Sequence, residues 1–358
     1  MKFSLHLQTR ITDWSIVKYL EDLGYDACWV PDTQMMWSDC YATMALAAHN
    51  TSKINIGTGV AITGTRIAPT TAASISSINA IAPGRIFLGI GTGHTAMRVM
   101  GHDPMPIKEF REYLRVVRAM LNGEEVDYTY RDKTTAIVWQ NHDTGFRNIE
   151  DHIPMYVAAN GPRALRSAGM YGDGLISVFN EQPDVLDYNL KYVAEGAKKA
   201  GRELNGYHTT SLTNAVILRA GEKLTDDAVI ERAGSWVVTA LHFIFEIWRY
   251  TNDDAVVPEY MKGVWEEYSD HVKAFPLPKE KWHQILHEGH CSYHTKNEKK
   301  FVTPGMIEGT SLVGGPFEIA EKIQTAANHG LGEVSLLPPL AHAREIAKDF
   351  AEQVIPLC

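Results

Sequence analysis

The sequence has few cysteines and no surplus of positive charge. Only four of its 358 residues are cysteine, and they are far apart, without the spacing of a disulfide framework: Cys28, Cys40, Cys291 and Cys358. Lys and Arg total 34 against 43 Asp and Glu, which gives a formal net charge of −9. Nucleic acids and anionic membranes bind clustered cations, and the sequence contains no basic stripe. We therefore expect neither as a partner.

Long hydrophobic runs are also missing. Met1 leads directly into a strand-like run, without the apolar segment of a secretory signal. The longest apolar passage, 236–248, is too short to span a membrane and contains His242 and Glu246. These features predict a reduced, cytoplasmic protein in which this passage is a buried or lid helix.

Short apolar strands alternate with amphipathic helices along the chain. Strand patterns occur at 2–7, 27–30, 54–60, 86–91, 155–159, 174–178, 212–218 and 333–337. Helical patterns occur at 14–23, 41–50, 69–81, 110–121, 163–171, 184–200, 316–327 and 344–354. Eight such pairs predict an α/β fold, a (β/α)₈ TIM barrel. The alternative is a doubly wound open sheet, but the first strand is not followed by a glycine-rich dinucleotide fingerprint.

Two stretches interrupt this alternation. Residues 124–152 have mixed polar content and predict a hairpin excursion. Residues 221–310 are longer than an ordinary connection, so we expect a helical insert that covers the barrel mouth as a lid or forms a subunit interface. The predicted organisation is therefore one barrel domain over 1–358 with this lid insert.

Functional side chains of a barrel gather at the carboxyl ends of its strands. In each of the stretches 85–101 and 153–166, a predicted strand ends in a glycine turn. Together the two turns indicate a ligand cradle. The strand-end residues are Asp32, Thr33, Gln34, Thr58, Gly59, Val60, Gly91, Thr92, Gly93, His94, Ala159, Asn160, Gly161 and Ser177.

Each strand-end motif has a functional and an ordinary structural interpretation. Asn160, Gly161 and Pro162 are typical of a helix start, and with Arg163 and Arg166 they form either a phosphate site or a plain capped helix. His94 is either an acid–base group or an exposed loop residue. Asp32 either orients a ligand or caps a turn.

Three histidines in the insert, His283, His287 and His290, have the i, i+4, i+7 spacing of one helical face. This spacing is compatible with a metal, but no carboxylate or thiolate pattern completes a metal signature, and Gly289 weakens the helix there. We therefore predict no metal site. His287 and His290, with Trp37, are assigned to the substrate pocket.

Several passages together resemble the bacterial luciferase-like flavin oxidoreductases, which include the coenzyme F420-dependent methylenetetrahydromethanopterin reductases. The matching passages run in the family's order and are Tyr25–Asp32, Ile54–Val60, Arg85–Gly93, Ile153–Pro162, Gly172–Ile176 and Leu312–Ile319.

The resemblance implies a flavin or deazaflavin at the carboxyl mouth of the barrel. It places the phosphate near 159–163, where Ala159, Asn160, Gly161, Pro162 and Arg163 would bind it. The ring would contact residues 58–60 and 91–94. In this family the third strand often ends in a non-proline cis peptide, and Gly59-Val60 matches that position. His94 and Asp32 become the candidate catalytic residues.

The choice of cofactor depends on fewer residues. The deazaflavin dehydrogenases carry a histidine where this chain has Thr33, and 98–101 resembles the luciferase side of the family. We therefore predict a two-component monooxygenase, in which a separate reductase supplies reduced FMN and O₂ oxygenates a small, partly hydrophobic substrate. An F420-dependent hydride transferase, a non-catalytic flavin-binding barrel and an unrelated barrel enzyme for a phosphorylated sugar are the alternatives. Relatives suggest a homodimer or homotetramer.

Overall fold

Eight parallel strands close into a barrel in the computed structural model, which describes residues 1–141 and 144–358. The strands are β1 (Lys2–His6), β2 (Ala27–Val30), β3 (Asn55–Thr58), β4 (Ile86–Gly91), β5 (Met155–Ala158), β6 (Gly174–Val178), β7 (His208–Thr213) and β8 (Glu333–Leu336). Each strand pairs with the next, and β8 pairs with β1. The predicted (β/α)₈ barrel is confirmed.

Helices surround the barrel and build the insert. They are α1 (Ser15–Asp22), α2 (Cys40–Asn50), α3 (Ala68–Ile81), α4 (His94–Arg98), α5 (Ile107–Leu121), α6 (Pro162–Tyr171), α7 (Pro183–Lys199), α8 (Asp227–Thr251), α9 (Lys262–Lys273), α10 (Pro304–Thr310), α11 (Pro316–Asn328) and α12 (Ala343–Gln353). Aliphatic side chains on the outer faces of the strands pack against these helices and form the main core, as Leu5 and Leu88 do.

The seventh strand lies earlier than the sequence pattern predicted. The barrel strand is β7, whereas Ala215–Ile217 leaves the barrel and pairs in parallel with Leu312–Gly314. The predicted position of the seventh strand, 212–218, was therefore wrong, because most of that range lies outside the barrel strand. The physical reason is that β7 buries hydroxyl groups, and Ser211 and Thr213 both donate hydrogen bonds to the Glu181 carboxylate. A strand with so few apolar residues is not detected by a pattern of apolar residues.

The third strand ends at Thr58 and is followed by a cis peptide between Gly59 and Val60, as the resemblance implied. A short strand, Ala61–Ile62, then pairs with β4. The expected excursion after α5 contains an antiparallel hairpin of Val126–Tyr130 with Lys133–Ile137. His142 and Asp143 of that stretch lie outside the described residues.

The long insert follows β7 and has its own hydrophobic cluster, in which Phe245, Tyr268 and Phe301 pack edge to face. Its first helix, α8, is long and apolar enough to cross a membrane by length and composition. However, 67% of its most apolar window is buried inside the protein. The helix therefore has the burial of a core helix, and it brings Phe243 to the barrel mouth.

Candidate active site

A cavity of about 790 Å³ opens at the carboxyl ends of the barrel strands. Fourteen of the sequence-predicted site residues line it, from four strand ends and the insert. They are Asp32, Trp37, Gly59, Val60, Gly91, Thr92, Gly93, His94, Ala159, Asn160, Gly161, Pro162, Arg163 and His290. A volume of this size falls within the range of cofactor sites.

Two predicted residues lie elsewhere. Thr58 is fully buried in the barrel wall, where its Oγ1 donates a 2.6 Å hydrogen bond to the Gly89 carbonyl. His287 is buried in the insert, with its Nε2 atom 3.8 Å from Glu246 Oε1. The structure thus places Thr58 beneath the cavity and His287 beside it.

Two glycines line the cavity at places where the barrel wall is closely packed. A Cβ atom on Gly91 would lie 3.1 Å from Val60 Cγ2 and 3.2 Å from the Ala158 methyl group. A Cβ atom on Gly59 would come within 2.7 Å of the His6 ring. Close packing within the barrel wall therefore requires glycine at both positions, and both residues line the cavity.

His6 is a cavity residue that the sequence analysis missed. It is the last residue of β1, so the rule that selected the other strand ends would also have found it. Its Nδ1 lies 2.7 Å from Ser335 Oγ, and its ring stacks on Trp29. Burial lowers the pKa of His6 to about 3, against a smaller opposing effect of Glu333. The ring is therefore neutral near pH 7.

The start of α6 forms the polar end of the cavity. Gly161 is the N-cap residue, and Pro162 opens the helix; within the described chain, no side chain caps these N–H groups. Asn160 does not act as the expected cap, because its Oδ1 accepts a 2.5 Å hydrogen bond from Ser177 Oγ. Uncapped helical N–H groups beside Arg163 and Arg166 are suited to a phosphate. This end of the cavity therefore fits the phosphate of a flavin-type cofactor.

His94 begins α4 and faces the insert. Its ring centroid lies 5.0 Å from that of Phe243. Burial, reinforced by the positive charge of Arg98, lowers the pKa of His94 to about 4. The Nδ1 atom is buried and has no hydrogen-bond partner among the residues that the structure describes. His94 thus presents a neutral imidazole at the barrel mouth.

Asp32 lines the same cavity but is already bonded. Its Oδ2 accepts a hydrogen bond of 2.5 Å from Arg66 Nη1 and one of 3.3 Å from the Ile62 N–H. A carboxylate held in this way is suited to fixing the loop after β2 rather than to removing a proton from a substrate.

A second cavity of about 690 Å³ lies between the barrel and the insert. Its walls include Trp236, Ala240, Ile244 and Met261. It shares further lining residues with the first cavity: Thr95, Asn160, Leu212, Phe243, His290, Cys291 and Leu337. An apolar compartment that adjoins a cofactor-sized one is arranged to hold a second, partly hydrophobic molecule.

The expected helix carrying three histidines does not form. Lys279–Gln284 is a 3₁₀ helix, and His283 lies apart from the others, with its Nδ1 3.0 Å from the Glu280 carbonyl oxygen. Instead, His287 and His290 lie near His242 of α8. The sequence spacing could not show this, since His242 belongs to a different element.

Comparison with known proteins assigns the chain to a family. This chain is 35% identical over 188 residues to the 5,10-methylenetetrahydromethanopterin reductase of Methanolobus tindarius. The aligned region covers 52% of this chain and 55% of that protein. The chain thus spans about half the length of that relative. The reductase of the same name from Archaeoglobus fulgidus is 29% identical over 344 residues, or 95% of this chain and 93% of the relative.

The fold is shared with a solved structure, the coenzyme F420-dependent tetrahydromethanopterin reductase from Methanopyrus kandleri. The TM-score is 0.72 at 22% identity, and the match covers 99% of this chain and 98% of the other. A family profile described as luciferase-like monooxygenase matches residues 14–333. The protein is an oxidoreductase, and it belongs to the luciferase-like monooxygenase family.

Proposed function

We propose that the protein transfers a hydride between coenzyme F420, a deazaflavin, and a small, partly hydrophobic organic substrate. The observation that carries this proposal is the adjoining pair of cavities, one with a phosphate-binding end and one with apolar walls. The Archaeoglobus fulgidus reductase, which matches nearly the whole chain, supports hydride transfer in preference to oxygenation.

Different residues at the barrel mouth would bind the phosphate, the ring and the substrate. Gly161 and Arg163 would hold the phosphate, and Gly59, Val60 and Gly91 would lie against the ring. When bound, the deazaflavin supplies a ring carbon that donates or accepts a hydride. Phe243 and Leu212 border both cavities, so they would hold the substrate against the ring and exclude water from the contact.

The polar groups of the mouth suit a transfer without strong acid catalysis. His6 and His94 are neutral imidazoles near pH 7, since burial lowers the pKa of His6 to about 3 and that of His94 to about 4. The Asp32 carboxylate is bonded to Arg66. The two imidazoles would orient the reactants by hydrogen bonding and add little charge at the reacting atoms, while Asp32 fixes the loop after β2.

The FMN-dependent monooxygenase is the second candidate. Thr33 favours it, because Thr33 lines the mouth where the deazaflavin dehydrogenases carry a histidine. The apolar second cavity is equally suited to a reaction that must exclude water. A reductase partner would then be required to supply reduced FMN.

An anaerobic titration distinguishes the two. We expect reduced F420 to bind at least about 10-fold more tightly than reduced FMN and to remain reduced when oxygen is admitted. Tighter binding of FMN followed by oxygen consumption would instead establish the monooxygenase. If F420 or FMN binds but supports no turnover across substrates, a non-catalytic barrel is indicated. If neither binds, the flavin-type assignment fails.

A matched pair of variants tests the phosphate end. Arg163→Ala should weaken F420 binding about 10-fold or more, as expected for loss of one charge-assisted hydrogen bond. Arg131→Ala is the control, because Arg131 lies in the turn of the hairpin and does not line either cavity. Equal affinities of the two variants would place the phosphate elsewhere.

A further inference from the structure

Three imidazoles meet where the insert contacts the barrel mouth. They belong to His242 on α8 and to His287 and His290 on the segment that follows the 3₁₀ helix. One nitrogen atom from each lies within 4.8 Å of the others. The ring centroids of His242 and His287 are 5.5 Å apart, and those of His287 and His290 are 5.4 Å apart, both at 83°. We call these residues the lid histidine cluster.

The polar atoms of the lid histidine cluster are buried without partners. In the described part of the chain, the Nδ1 atoms of all three histidines accept or donate no hydrogen bond, and neither does His287 Nε2. The Oε2 atom of the adjacent Glu246 is unpartnered in the same way among these residues. Buried polar atoms are almost always paired, so unpaired nitrogens on three rings whose ligand atoms come within 4.8 Å of one another indicate a ligand between them.

A carboxylate holds one of the three rings, that of His242, from behind. His242 Nε2 lies 2.8 Å from Glu298 Oε1, and Glu298 also accepts a 2.6 Å hydrogen bond from Thr295 Oγ1. A second carboxylate, Glu246, lies near His287 but beyond hydrogen-bond distance, with its Oε1 atom 3.8 Å from Nε2. A carboxylate on one nitrogen of a histidine, with the other nitrogen free, is the usual arrangement around a metal ion.

All three candidate ligands are imidazoles, which are among the commonest metal ligands in proteins. Neutral imidazole suits zinc and the neighbouring first-row metals, whereas magnesium and calcium prefer oxygen.

We propose that the lid histidine cluster binds one divalent transition metal ion, with zinc the best match to an all-imidazole ligand set. Since Glu298 occupies His242 Nε2, the ligand atom of His242 is Nδ1. Tetrahedral zinc has Zn–N distances of about 2.0–2.1 Å, so the nitrogens must approach to roughly 3.4 Å of one another. Metal binding would therefore draw the three rings closer together.

The position of the ion gives it a role at the active site. His290 lines both cavities, so the ion would lie beside the wall that they share. Three protein ligands leave one coordination position for water or a substrate oxygen, as in catalytic zinc sites. The site would also connect α8 to the segment that carries His290. This proposal does not depend on which flavin-type cofactor binds, and it replaces the sequence-based prediction of no metal.

Metal titration of the intact protein tests the site directly. After dialysis against a chelator, we expect one Co²⁺ per chain to bind and to give the strong visible absorption of tetrahedral coordination, and Zn²⁺ to displace it. His287→Ala should weaken Co²⁺ binding about 100-fold, at the upper end of the effects known even for second-shell changes. His283→Ala is the matched control, because His283 lies in the preceding 3₁₀ helix, outside the cluster.

Further variants keep the result decisive. Circular dichroism and the thermal midpoint in chelator establish that His287→Ala is folded; if it is not, the half-buried His290 is replaced by alanine instead. Glu298→Gln should weaken binding about 10-fold while the cobalt spectrum retains its shape, as expected for a positioning residue. The proposal is overturned if the wild type binds no cobalt, or if His283→Ala loses as much affinity as the cluster variants.

Discussion

Arg66 joins two aspartates at the barrel mouth: its Nη1 donates to Asp32 Oδ2 at 2.5 Å, and its Nη2 donates to Asp39 Oδ2 at 2.9 Å. The Asp32 side chain is only 3% exposed, while that of Arg66 is 20% exposed. The guanidinium therefore compensates a carboxylate charge that burial would otherwise make costly. Through this pair, the loop after β2 is fixed to the chain that follows β3.

Removing Arg66 should therefore destabilise the protein strongly. We expect Arg66→Ala to lower the free energy of unfolding by about 3–5 kcal/mol, because it leaves the Asp32 charge buried and unpaired. Urea denaturation followed by fluorescence measures this change. The double variant Arg66→Ala/Asp32→Asn should recover part of the loss.

The control for this prediction is an exposed ion pair of the same chemistry. Arg344 contacts Asp13 at 2.6 Å, with side chains 44% and 37% exposed. Arg344→Ala should cost at most about 1 kcal/mol. An equal loss in Arg66→Ala and Arg344→Ala would show that burial of Asp32 contributes nothing.

The sequence was sufficient for the barrel because most of its strands are short, mainly apolar stretches that alternate with amphipathic helices. β4, for example, is buried at every position and ends at Gly91, where the chain opens toward the cavity. The same rule of strand ends found cavity-lining residues after β2, β3, β4 and β5. The search for apolar strands failed at β7, which is rich in hydroxyl groups. Two of these groups donate hydrogen bonds to the Glu181 carboxylate instead of packing as an aliphatic surface.

Contacts between distant elements were beyond the sequence. The pairing of Asp32 with Arg66 depends on the path of the loop after β3. The meeting of His242 with His287 depends on how the insert folds back on α8. In both cases the residue types were visible in the sequence, but local periodicity does not encode their proximity.

Glu21 predicts a specific loss of stability in acid. Its carboxylate accepts hydrogen bonds from the backbone N–H groups of Ser52, Lys53 and Ile54, ahead of β3. Partial burial would raise the pKa of Glu21, but these hydrogen bonds outweigh that effect and lower the pKa to about 2. The folded pKa lies below the ordinary unfolded value, so the stabilisation is complete above about pH 4.5 and is lost as the pH falls toward 2.

Glu21→Gln tests this linkage. The neutral amide accepts weaker hydrogen bonds, and we expect a loss on the order of 1.5 kcal/mol at pH 7. The difference between variant and wild type should shrink between about pH 4.5 and pH 2, where wild-type Glu21 takes up its proton. Urea denaturation at pH 7, 4 and 3 gives the comparison. A difference that stays constant with pH would contradict the assignment.

The crossing of α6 and α7 predicts an effect that reaches the active site. A Cβ atom on Gly169 of α6 would lie 1.9 Å from the Val193 carbonyl oxygen of α7. Gly169→Ala must therefore separate the helices, at a cost of about 1–3 kcal/mol in the free energy of unfolding. Since α6 also carries Arg163 in its first turn, we expect weaker F420 binding in the same variant.

A glycine in open space provides the control, for which we expect the free energy of unfolding to change in the opposite direction. Among the described residues, nothing lies within 4 Å of a Cβ atom built on Gly263, near the start of α9. Gly263→Ala should therefore raise the free energy of unfolding by about 0.5–1 kcal/mol, through helix propensity alone. It should also leave F420 affinity unchanged, because Gly263 lines neither cavity. If Gly169→Ala were as stable as Gly263→Ala, the close approach of α6 to α7 would not be what positions Arg163.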